Sequence, residues 1–399
     1  MPVSTHPQAP QLNAIQRARL RRLLVDAWRN VPMYRSLYEA SGLTEQELSA
    51  PDVLARLPIL TKAGLLATPL DNRVNRRFDV SRLTRESTTG STGQPFSLYV
   101  DTRYRVLRNL RFFYGLLSAG YRPWHRMLML TDRHAGLSRR QNRYYQSVER
   151  PTSEVLDAYM QIRPHLLYGF TTPLRLLAES IRESRRNAPR PRLVVSTAEM
   201  LDSATRDALA ETYRCPIIDF YGLTEMGLVA WQRPGVDGYV LSASGVLTEL
   251  VPDNSCPGRY RLLMTNLDLR ASPIIRFDSG DLAHAETING KPRVSAFEGR
   301  VIDTIVARNG QELSPYVITD ALRDVPGLQR FRICQHTVAR FDIDLEVVSA
   351  LRHEAVEQIQ ATFERLLGAG LDLRFGFSDN LVPEGTRKFR PVESRVLRQ

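Results

Sequence analysis

Apolar side chains recur at intervals of three and four residues in several stretches of the sequence, the spacing that puts them on one face of a helix. This pattern predicts helices over residues 9–30, 45–55, 103–117, 172–185 and 203–213. Short continuous apolar runs, typical of buried strands, lie at residues 127–130, 193–195 and 216–220. Because strands alternate with helices along the chain, the sequence predicts a layered α/β fold with a largely parallel sheet.

The pattern changes twice in the second half of the chain. From about residue 238, β-like runs separated by glycine and proline, at 239–241, 246–251 and 260–265, predict an antiparallel or barrel-like subdomain. After residue 299 the pattern predicts a hairpin turning at Asn309-Gly310, helices over 316–323 and 353–367, and strands over 330–335, 341–348 and 371–375. We therefore expect two domains: a large α/β core over 1–299 that contains the β-rich subdomain, and a small α+β domain over 300–399.

The composition of the 399-residue chain, 43% apolar, allows more than one buried core. There is no run of about 18 apolar residues to cross a membrane, and the first ten residues lack the apolar core of a signal peptide. We therefore expect a cytoplasmic protein without membrane contact. Cys215, Cys256 and Cys334 are far apart and have no Cys-x-x-Cys spacing, so we expect reduced thiols and no structural zinc.

The net charge of +11 would attract phosphate groups, so a nucleic-acid-binding protein is one hypothesis. The basic residues are spread in short clusters without a recognisable nucleic-acid-binding motif, which favours a solvated basic surface and no nucleic-acid partner. Only three of the 54 basic residues are lysines, namely Lys62, Lys291 and Lys388. A lysine that persists against this bias is a candidate for a function that needs a compact ammonium group.

Two motifs place hydroxyl, glycine and carboxylate groups together. Residues 87–95, Ser-Thr-Thr-Gly-Ser-Thr-Gly-Gln-Pro, let backbone N–H and hydroxyl groups converge on phosphate oxygens. A flexible linker would have a similar composition, and the Gly-Lys-Ser/Thr ending of a P-loop is missing. Residues 221–225, Tyr-Gly-Leu-Thr-Glu, follow a predicted strand, so we expect a glycine turn, a hydroxyl and a carboxylate at the carboxyl end of that strand.

Two further motifs lie closer to the C-terminus. Residues 273–282, Pro-Ile-Ile-Arg-Phe-Asp-Ser-Gly-Asp-Leu, are typical of a strand, a turn and an acidic residue, Asp281. By itself, such an aspartate is often only part of a surface turn. Residues 383–391, Pro-Glu-Gly-Thr-Arg-Lys-Phe-Arg-Pro, place Lys388 in a loop after the small domain, where a basic tail is the plain alternative.

The order of these four motifs resembles that of the adenylate-forming superfamily, in particular its phenylacetate-coenzyme A ligase and capsule-biosynthesis branch. The resemblance implies three catalytic residues, Lys388, Thr224 and Glu225, with Glu225 as the magnesium ligand. It implies that Tyr221 stacks on adenine and that Asp281 accepts hydrogen bonds from the ribose. The full implied set of ATP- or AMP-binding residues is Ser87, Thr88, Thr89, Gly90, Ser91, Thr92, Gly93, Glu199, Tyr221, Gly222, Asp281 and Arg300. The implied acid pocket draws on Tyr168, Gly169, Ser196, Thr197 and Ala198.

The reaction that the resemblance implies is activation of a carboxylic acid, aryl or other, by ATP and magnesium to give an acyl-adenylate. The resemblance also implies that the small domain over 300–399 is mobile and rotates to admit the acceptor. Coenzyme A, a carrier-protein phosphopantetheine, and an amine or hydroxyl all stay open as acyl acceptors, and an acyl-carrier protein is therefore a candidate partner. The chain departs from the family pattern at three positions: Gln94 and Arg387 replace a usual lysine and glycine, and Ile302 replaces an aspartate near the hinge. These departures keep a catalytically silent, nucleotide- or partner-binding relative as the alternative.

Overall fold

The computed structural model describes residues 12–87, 96–131, 138–253, 256–288, 291–300, 303–383, 386 and 388–396. Interleaved parts of the chain form two compact units. Unit 1 comprises Met1–Ser118, Tyr221–Trp231 and Asp237–Ala296, and unit 2 comprises Ala119–Phe220, Gln232–Val236 and Phe297–Gln399. The predicted division into a core over 1–299 and a mobile domain over 300–399 includes a movement that contacts alone do not test, so it stays a prediction.

Helices and strands alternate through most of the described chain. The helices are α1 (Ala14–Asn30), α2 (Pro32–Ala40), α3 (Val53–Arg56), α4 (Lys62–Ala67), α5 (Thr102–Ser118), α6 (Thr152–Ile162), α7 (Thr171–Ser184), α8 (Ser203–Tyr213), α9 (Pro315–Ala321) and α10 (Arg352–Leu367). The first ten strands are β1 (Thr84–Ser87), β2 (Ser97–Val100), β3 (Met127–Thr131), β4 (Ser138–Arg140), β5 (Arg143–Ser147), β6 (Leu166–Phe170), β7 (Leu193–Thr197), β8 (Ile217–Leu223), β9 (Gly227–Arg233) and β10 (Val236–Leu241). The others are β11 (Val246–Pro252), β12 (Arg259–Asn266), β13 (Phe277–Ile288), β14 (Lys291–Arg300), β15 (Ile305–Val306), β16 (Glu312–Leu313), β17 (Leu328–Gln335), β18 (Arg340–Val347), β19 (Asp372–Phe377) and β20 (Val392–Ser394).

Helix α1 begins and ends where the sequence provides caps. The Asn13 side chain accepts a hydrogen bond from the Gln16 N–H, and the Gln16 side chain accepts one from the Asn13 N–H. The helix ends before Pro32, which starts α2 at a position where its missing N–H costs nothing. The first predicted helix is thus confirmed from residue 14 onward, and α2 was not predicted.

The other predicted helices have mixed outcomes. Those over 103–117, 172–185 and 203–213 are confirmed as α5, α7 and α8, within one residue at each end. The single helix over 45–55 is wrong, because a 3-10 turn and α3 occupy that stretch on either side of Pro51. Proline disfavours helix in the residue before it, so one continuous helix cannot form there.

The parallel sheet of unit 2 carries the strand ends that matter for the site. Within this unit the strand order is β8-β7-β6-β3-β5-β4, and all neighbours are parallel except β4 and β5. Buried leucines and valines of these strands pack against α6, α7 and α8 in one apolar core. The predicted layered α/β fold is confirmed, because parallel strands need such crossover helices.

The β-rich part of unit 1 is a four-stranded antiparallel sheet in the order β11-β12-β13-β14. This confirms the predicted antiparallel subdomain. A separate antiparallel hairpin, β1-β2, flanks residues 88–95, which lie outside the described part of the chain.

The C-terminal part of unit 2 contains a second sheet in the order β19-β18-β17-β20, with its own apolar core beneath α9 and α10. The predicted hairpin at Asn309-Gly310 is confirmed as β15-β16. Strand β20, which runs parallel to β17, was not predicted because it follows a loop and is only three residues long. No helix in the described chain is long and apolar enough to cross a membrane.

Arg276 and Glu249 form a buried ion pair in unit 1. The Arg276 Nε lies 3.2 Å from a Glu249 carboxylate oxygen, and Arg276 also donates to the backbone oxygens of Ala55 and Leu57. The Glu249 residue is 1% exposed. Burial raises the pKa of Glu249 to about 7, although the charge of Arg276 opposes the rise.

Replacing Glu249 with glutamine is expected to flatten the pH dependence of unfolding. The pKa is about 7 in the folded protein and 4.5 ordinarily, so between these values the folded state binds more protons and stability falls as pH rises. That fall would reach ~3 kcal/mol at most. Urea unfolding at pH 5 and pH 8 measures it, with the exposed Glu211→Gln as control. An equal fall in Glu249→Gln and wild type would contradict this assignment.

Candidate functional site

The carboxyl ends of three parallel strands meet at one edge of the unit 2 sheet. Phe170 at the end of β6 is in register with Thr197 at the end of β7, and Thr197 is in register with Phe220 of β8. Open α/β sheets bind their ligands at this edge. The candidate site of unit 2 is built on these strand ends.

The predicted acid-pocket residues lie on the same strands. Gly169 of β6 is in register with Ser196 of β7. The hydroxyls of Ser196 and Thr171 are 2.7 Å apart, and the Thr197 hydroxyl donates to the Phe220 carbonyl oxygen at 2.8 Å. Because Ser196 and Thr197 are already hydrogen-bonded inside the protein, they position the strand ends, and any contact of theirs with an acid stays a prediction. Tyr168, one residue before Gly169 on β6, is half-buried.

Ala198 turns the chain sharply at the end of β7. Its φ of 66° lies in the left-handed region, which is uncommon for a residue with a Cβ. Such strained residues cluster at functional sites, where the surrounding structure holds them. The turn is followed at once by Glu199.

Glu199 joins two elements that are far apart in the sequence. One carboxylate oxygen accepts the Thr172 N–H at 2.8 Å, and the other accepts the Thr172 hydroxyl at 2.7 Å and the Phe389 N–H at 2.7 Å. Thr172 lies in the first turn of α7, where a carboxylate is favoured by the helix dipole. Burial raises the pKa of Glu199, while hydrogen bonds from Thr172 and Phe389 and the charge of Lys388 lower it.

The loop that carries Lys388 is thereby fixed at the strand ends. The Lys388 ammonium lies 5.0 Å from the centroid of the Phe170 ring, within range of a cation–π interaction. Two residues later, Arg390 forms an ion pair with Asp303. The structure thus brings together two residues singled out from the sequence, Lys388 and Glu199.

The sequence did not predict the contacts that these two residues make. Phe170, Thr172 and Phe389 all contact Glu199 or Lys388. Phe389 lies inside the recognised 383–391 motif, but it contacts Glu199 through its backbone N–H. Because every residue except proline has such an N–H, the residue type does not predict this contact. A threonine at the start of a helix after a strand was the only available signal for Thr172.

Replacing Glu199 with glutamine is expected to loosen the Lys388 loop. A single amide oxygen cannot accept the three hydrogen bonds that the carboxylate accepts, and each lost bond to a charged group weakens the contact by about tenfold. Hydrogen exchange of the Phe389 amide should therefore accelerate. The control is Glu183→Gln, an exposed site on α7, the helix that contains Thr172. Unchanged exchange at residues 388–390 in Glu199→Gln would contradict the contact.

In unit 1, Tyr221 and Asp281 are in direct contact. The Tyr221 hydroxyl donates to an Asp281 carboxylate oxygen at 2.5 Å. The expected turn at 278–281 is wrong, because these residues lie within β13, where the register with β12 shifts and Gly280 has a φ of 71°. A β-bulge of this kind re-aims the side chain beside it, here Asp281.

The Tyr-Gly-Leu-Thr-Glu motif also differs from expectation. Strand β8 continues through Tyr221 to Leu223, so the glycine lies in the strand and the turn begins at Thr224. Gly222 is required for packing, because a Cβ there would meet the Gly227 carbonyl oxygen at 2.7 Å. Thr224 is half-buried at the start of this turn.

Backbone contacts fix the turn that presents Glu225. Its carbonyl oxygen accepts hydrogen bonds from the Asn266 amide at 2.8 Å and the Tyr104 hydroxyl at 3.3 Å. Arg111 donates to the carbonyl oxygen of the next residue, Met226, at 2.9 Å. The Glu225 residue is 7% exposed.

The side chain of Glu225 ends in a carboxylate, the protein group that most often binds magnesium. Magnesium is commonly held by one or two protein carboxylates together with substrate phosphates. The carboxylate of Glu225 is a ligand of this type, and its assignment to magnesium stays a prediction. Within the ranges that the structure describes, no group of three or more His, Cys, Asp or Glu side chains is arranged to hold a metal by itself.

Two predicted nucleotide-binding elements are only partly described. Ser87 ends β1, with its hydroxyl oxygen 2.8 Å from that of Ser97 across the hairpin. The rest of the predicted phosphate loop, Thr88, Thr89, Gly90, Ser91, Thr92 and Gly93, lies outside the described residues. Arg300 ends β14, and its side chain also lies outside the description.

No protein-family model matches the chain. It is 24% identical over 334 residues to the phenylacetate-coenzyme A ligase of Escherichia coli strain K12, covering 75% of this chain and 73% of that protein. It is also 24% identical over 364 residues to the phenylacetate-coenzyme A ligase of Aromatoleum evansii, covering 80% of this chain and 77% of that protein.

Solved structures share the fold. A 2-hydroxyisobutyryl-CoA ligase in the postadenylation state, in complex with 2-HIB-AMP, matches with a TM-score of 0.78 at 20% identity, covering 98% of this chain and 91% of that one. An anthranilate CoA ligase in complex with anthranoyl-AMP matches with a TM-score of 0.57 at 16% identity, covering 94% and 90%. The fold is therefore that of the adenylate-forming ligases. The sequence is similar to those of the phenylacetate-coenzyme A ligases, which confirms the resemblance seen in the motifs.

Proposed function

We propose that this enzyme activates a small carboxylic acid with ATP, releases pyrophosphate, and transfers the acyl group from the adenylate to the thiol of coenzyme A. The observation that carries the proposal is the hydrogen bond from the Phe389 N–H to Glu199, which holds the Lys388 loop at the carboxyl ends of the parallel strands. The relatives are named as coenzyme A ligases for phenylacetate, anthranilate and 2-hydroxyisobutyrate. Because those acids differ in size and aromaticity, the proposal names the class of acid only.

In the first half-reaction, an oxygen of the substrate carboxylate attacks the α-phosphorus of ATP. The bond from that phosphorus to the bridging oxygen breaks, and pyrophosphate leaves with the electron pair. No protein nucleophile is needed, so the protein contributes position and electrostatic stabilisation. The Lys388 ammonium would stabilise charge shared between the carboxylate and phosphate oxygens, and the Thr224 hydroxyl would donate a hydrogen bond to the same centre.

The nucleotide would be held by the two motifs of unit 1. Asp281 would accept hydrogen bonds from the ribose hydroxyls, which a carboxylate does with two oxygens. Tyr221 would stack on the adenine, and the hydroxyls and N–H groups of residues 87–93 would surround the phosphates. When bound, magnesium would shield the phosphate charge, and Glu225 is the residue that we assign to it.

In the second half-reaction, the thiol sulfur attacks the acyl carbon, AMP leaves, and the thiol proton passes to solvent or the leaving phosphate. We propose that residues 300–399 rotate between the two steps, as the family resemblance implies. Polar contacts between this segment and α7 support a separable surface: Arg330 pairs with Glu179, and Arg175 donates to the Gln329 carbonyl oxygen. Interfaces that open during function are commonly polar in this way.

Hydroxylamine trapping tests the proposed activity, because hydroxylamine converts an acyl-adenylate into a hydroxamate. The enzyme would be incubated with Mg-ATP and, one at a time, phenylacetate, anthranilate, 2-hydroxyisobutyrate and acetate. We expect hydroxamate that requires both ATP and acid, with at least one acid strongly preferred. ATP binding without hydroxamate from any acid would overturn the proposal in favour of a binding protein.

A further inference from the structure

Unit 1 contains a cavity of about 170 Å³ that none of the residues discussed above lines. Helix α1, the first turn of α5 and the segment after β12 line it, and it is open to solvent on one side. Its lining is Arg19, Arg22, Leu23, Arg103, Leu267 and Arg270. Four of the six lining residues are therefore arginines.

One of these arginines has only a shared counter-ion. Arg19 pairs with one oxygen of Asp268 at 2.6 Å, while the other oxygen of Asp268 pairs with Arg111, also at 2.6 Å. Asp268 carries one negative charge between two guanidinium groups. Half of the positive charge around it is therefore left uncompensated.

The positive charges of the other three lining arginines are balanced still less by nearby carboxylates. Arg270 lies 3.4 Å from Asp26, which also pairs with Arg77 at 3.2 Å. Arg22 donates only to a backbone oxygen, and neither it nor Arg103 has an acidic partner among the residues that the structure describes. Four guanidinium groups that line one cavity make its potential positive, so the cavity favours an anion.

The parts of unit 1 outside the description cannot supply the missing charge. Residues 1–11, 88–95, 254–255 and 289–290 contain no aspartate or glutamate. Within unit 1, the undescribed residues therefore leave these charges available to an anion from solution. The two leucines of the lining add no hydrogen-bond acceptor that would compete with it.

The chemistry of the lining and its size select the class of anion. Guanidinium groups bind phosphate oxygens in a bidentate fashion and keep their charge at any physiological pH. The volume has room for several water molecules of about 30 Å³ each, but it is smaller than the roughly 300–1,000 Å³ of pockets that hold drug-sized ligands. We propose that this cavity binds a compact oligophosphate anion such as pyrophosphate, at a site separate from the residues assigned to catalysis.

Isothermal titration of the full-length protein with inorganic pyrophosphate tests the proposal. The titration contains a chelator and neither ATP nor acid. Pyrophosphate bound at the phosphate loop of the proposed function would survive substitutions in the cavity, so the comparison of variants separates the two sites. The test variant is Arg22→Gln/Arg103→Gln, since neither side chain has an ion pair to lose on folding. The control is Arg21→Gln/Arg105→Gln, which removes the same charge from the same two helices outside the lining.

We expect saturable binding to the wild type, weakened at least about tenfold in the cavity variant and less than about twofold in the control. Thermal melting without pyrophosphate should show the cavity variant folded and at least as stable as wild type, because repulsion is relieved. Absence of saturable binding to wild type would overturn the proposal. An equal loss in both variants would also overturn it, since that pattern indicates general charge attraction and no site.

Discussion

Replacing Lys388 with alanine is expected to slow adenylate formation by about 10²–10³-fold, the usual cost of removing one preorganised charge from a transition state. The affinity for ATP should change only severalfold. The reason is that the Lys388 ammonium is assigned to charge that develops during the reaction, whereas the loop around it is held through the backbone of Phe389. Interactions made only in the transition state affect the rate more than binding.

Lys388→Arg is the informative companion variant. Arginine keeps the positive charge but spreads it over a planar group, so it should restore less than about a tenth of the rate if a compact ammonium is needed. Both variants are compared by hydroxamate formation and by equilibrium binding of ATP. A Lys388→Ala enzyme with near wild-type rate would remove Lys388 from the mechanism, and a parallel loss of ATP affinity would make it a binding residue.

Replacing Asp281 with alanine is expected to weaken ATP binding by about 10²–10⁴-fold, because hydrogen bonds to a charged group are each worth about 1.5–3 kcal/mol and two would be lost. The rate at saturating ATP should fall much less. This is the reverse of the pattern expected for Lys388→Ala, and both are measured in the same assays.

Tyr221→Phe is the matched control for Asp281. It removes the hydroxyl that now donates to Asp281 at 2.5 Å, but it keeps the ring and the carboxylate. ATP affinity should change by less than about threefold, since the ribose hydroxyls would replace the lost donor. Wild-type affinity in Asp281→Ala would show that the carboxylate does not contact the nucleotide.

Local pattern was enough to predict most of the fold. The spacing of apolar residues over a few positions was enough to identify the buried strands β3, β7 and β8 and the amphipathic helices α5, α7 and α8. The 45–55 helix was mispredicted where proline at residue 51 outweighed helical spacing. Strand β20 was missed because it forms by pairing with β17, nearly sixty residues earlier in the chain.

The candidate site was predictable in its residues but not in its contacts. Lys388 and Glu199 were recognised from motifs, yet the bond that joins their segments runs from a backbone N–H to a side chain 190 positions away. The spacing of residues along the sequence does not predict a hydrogen bond of this kind. The bulge that aims Asp281 was also hidden, because Asp-Ser-Gly-Asp has the composition of an ordinary turn.

Acid-dependent exchange of radiolabelled pyrophosphate into ATP tests the central claim most directly, because it reports the reversible first half-reaction without any acyl acceptor. The wild type is expected to exchange label only when a suitable carboxylic acid is present, and Lys388→Ala is expected to exchange it at least about a hundredfold more slowly. Exchange that does not depend on acid, or no exchange with any acid while ATP still binds, would contradict the account.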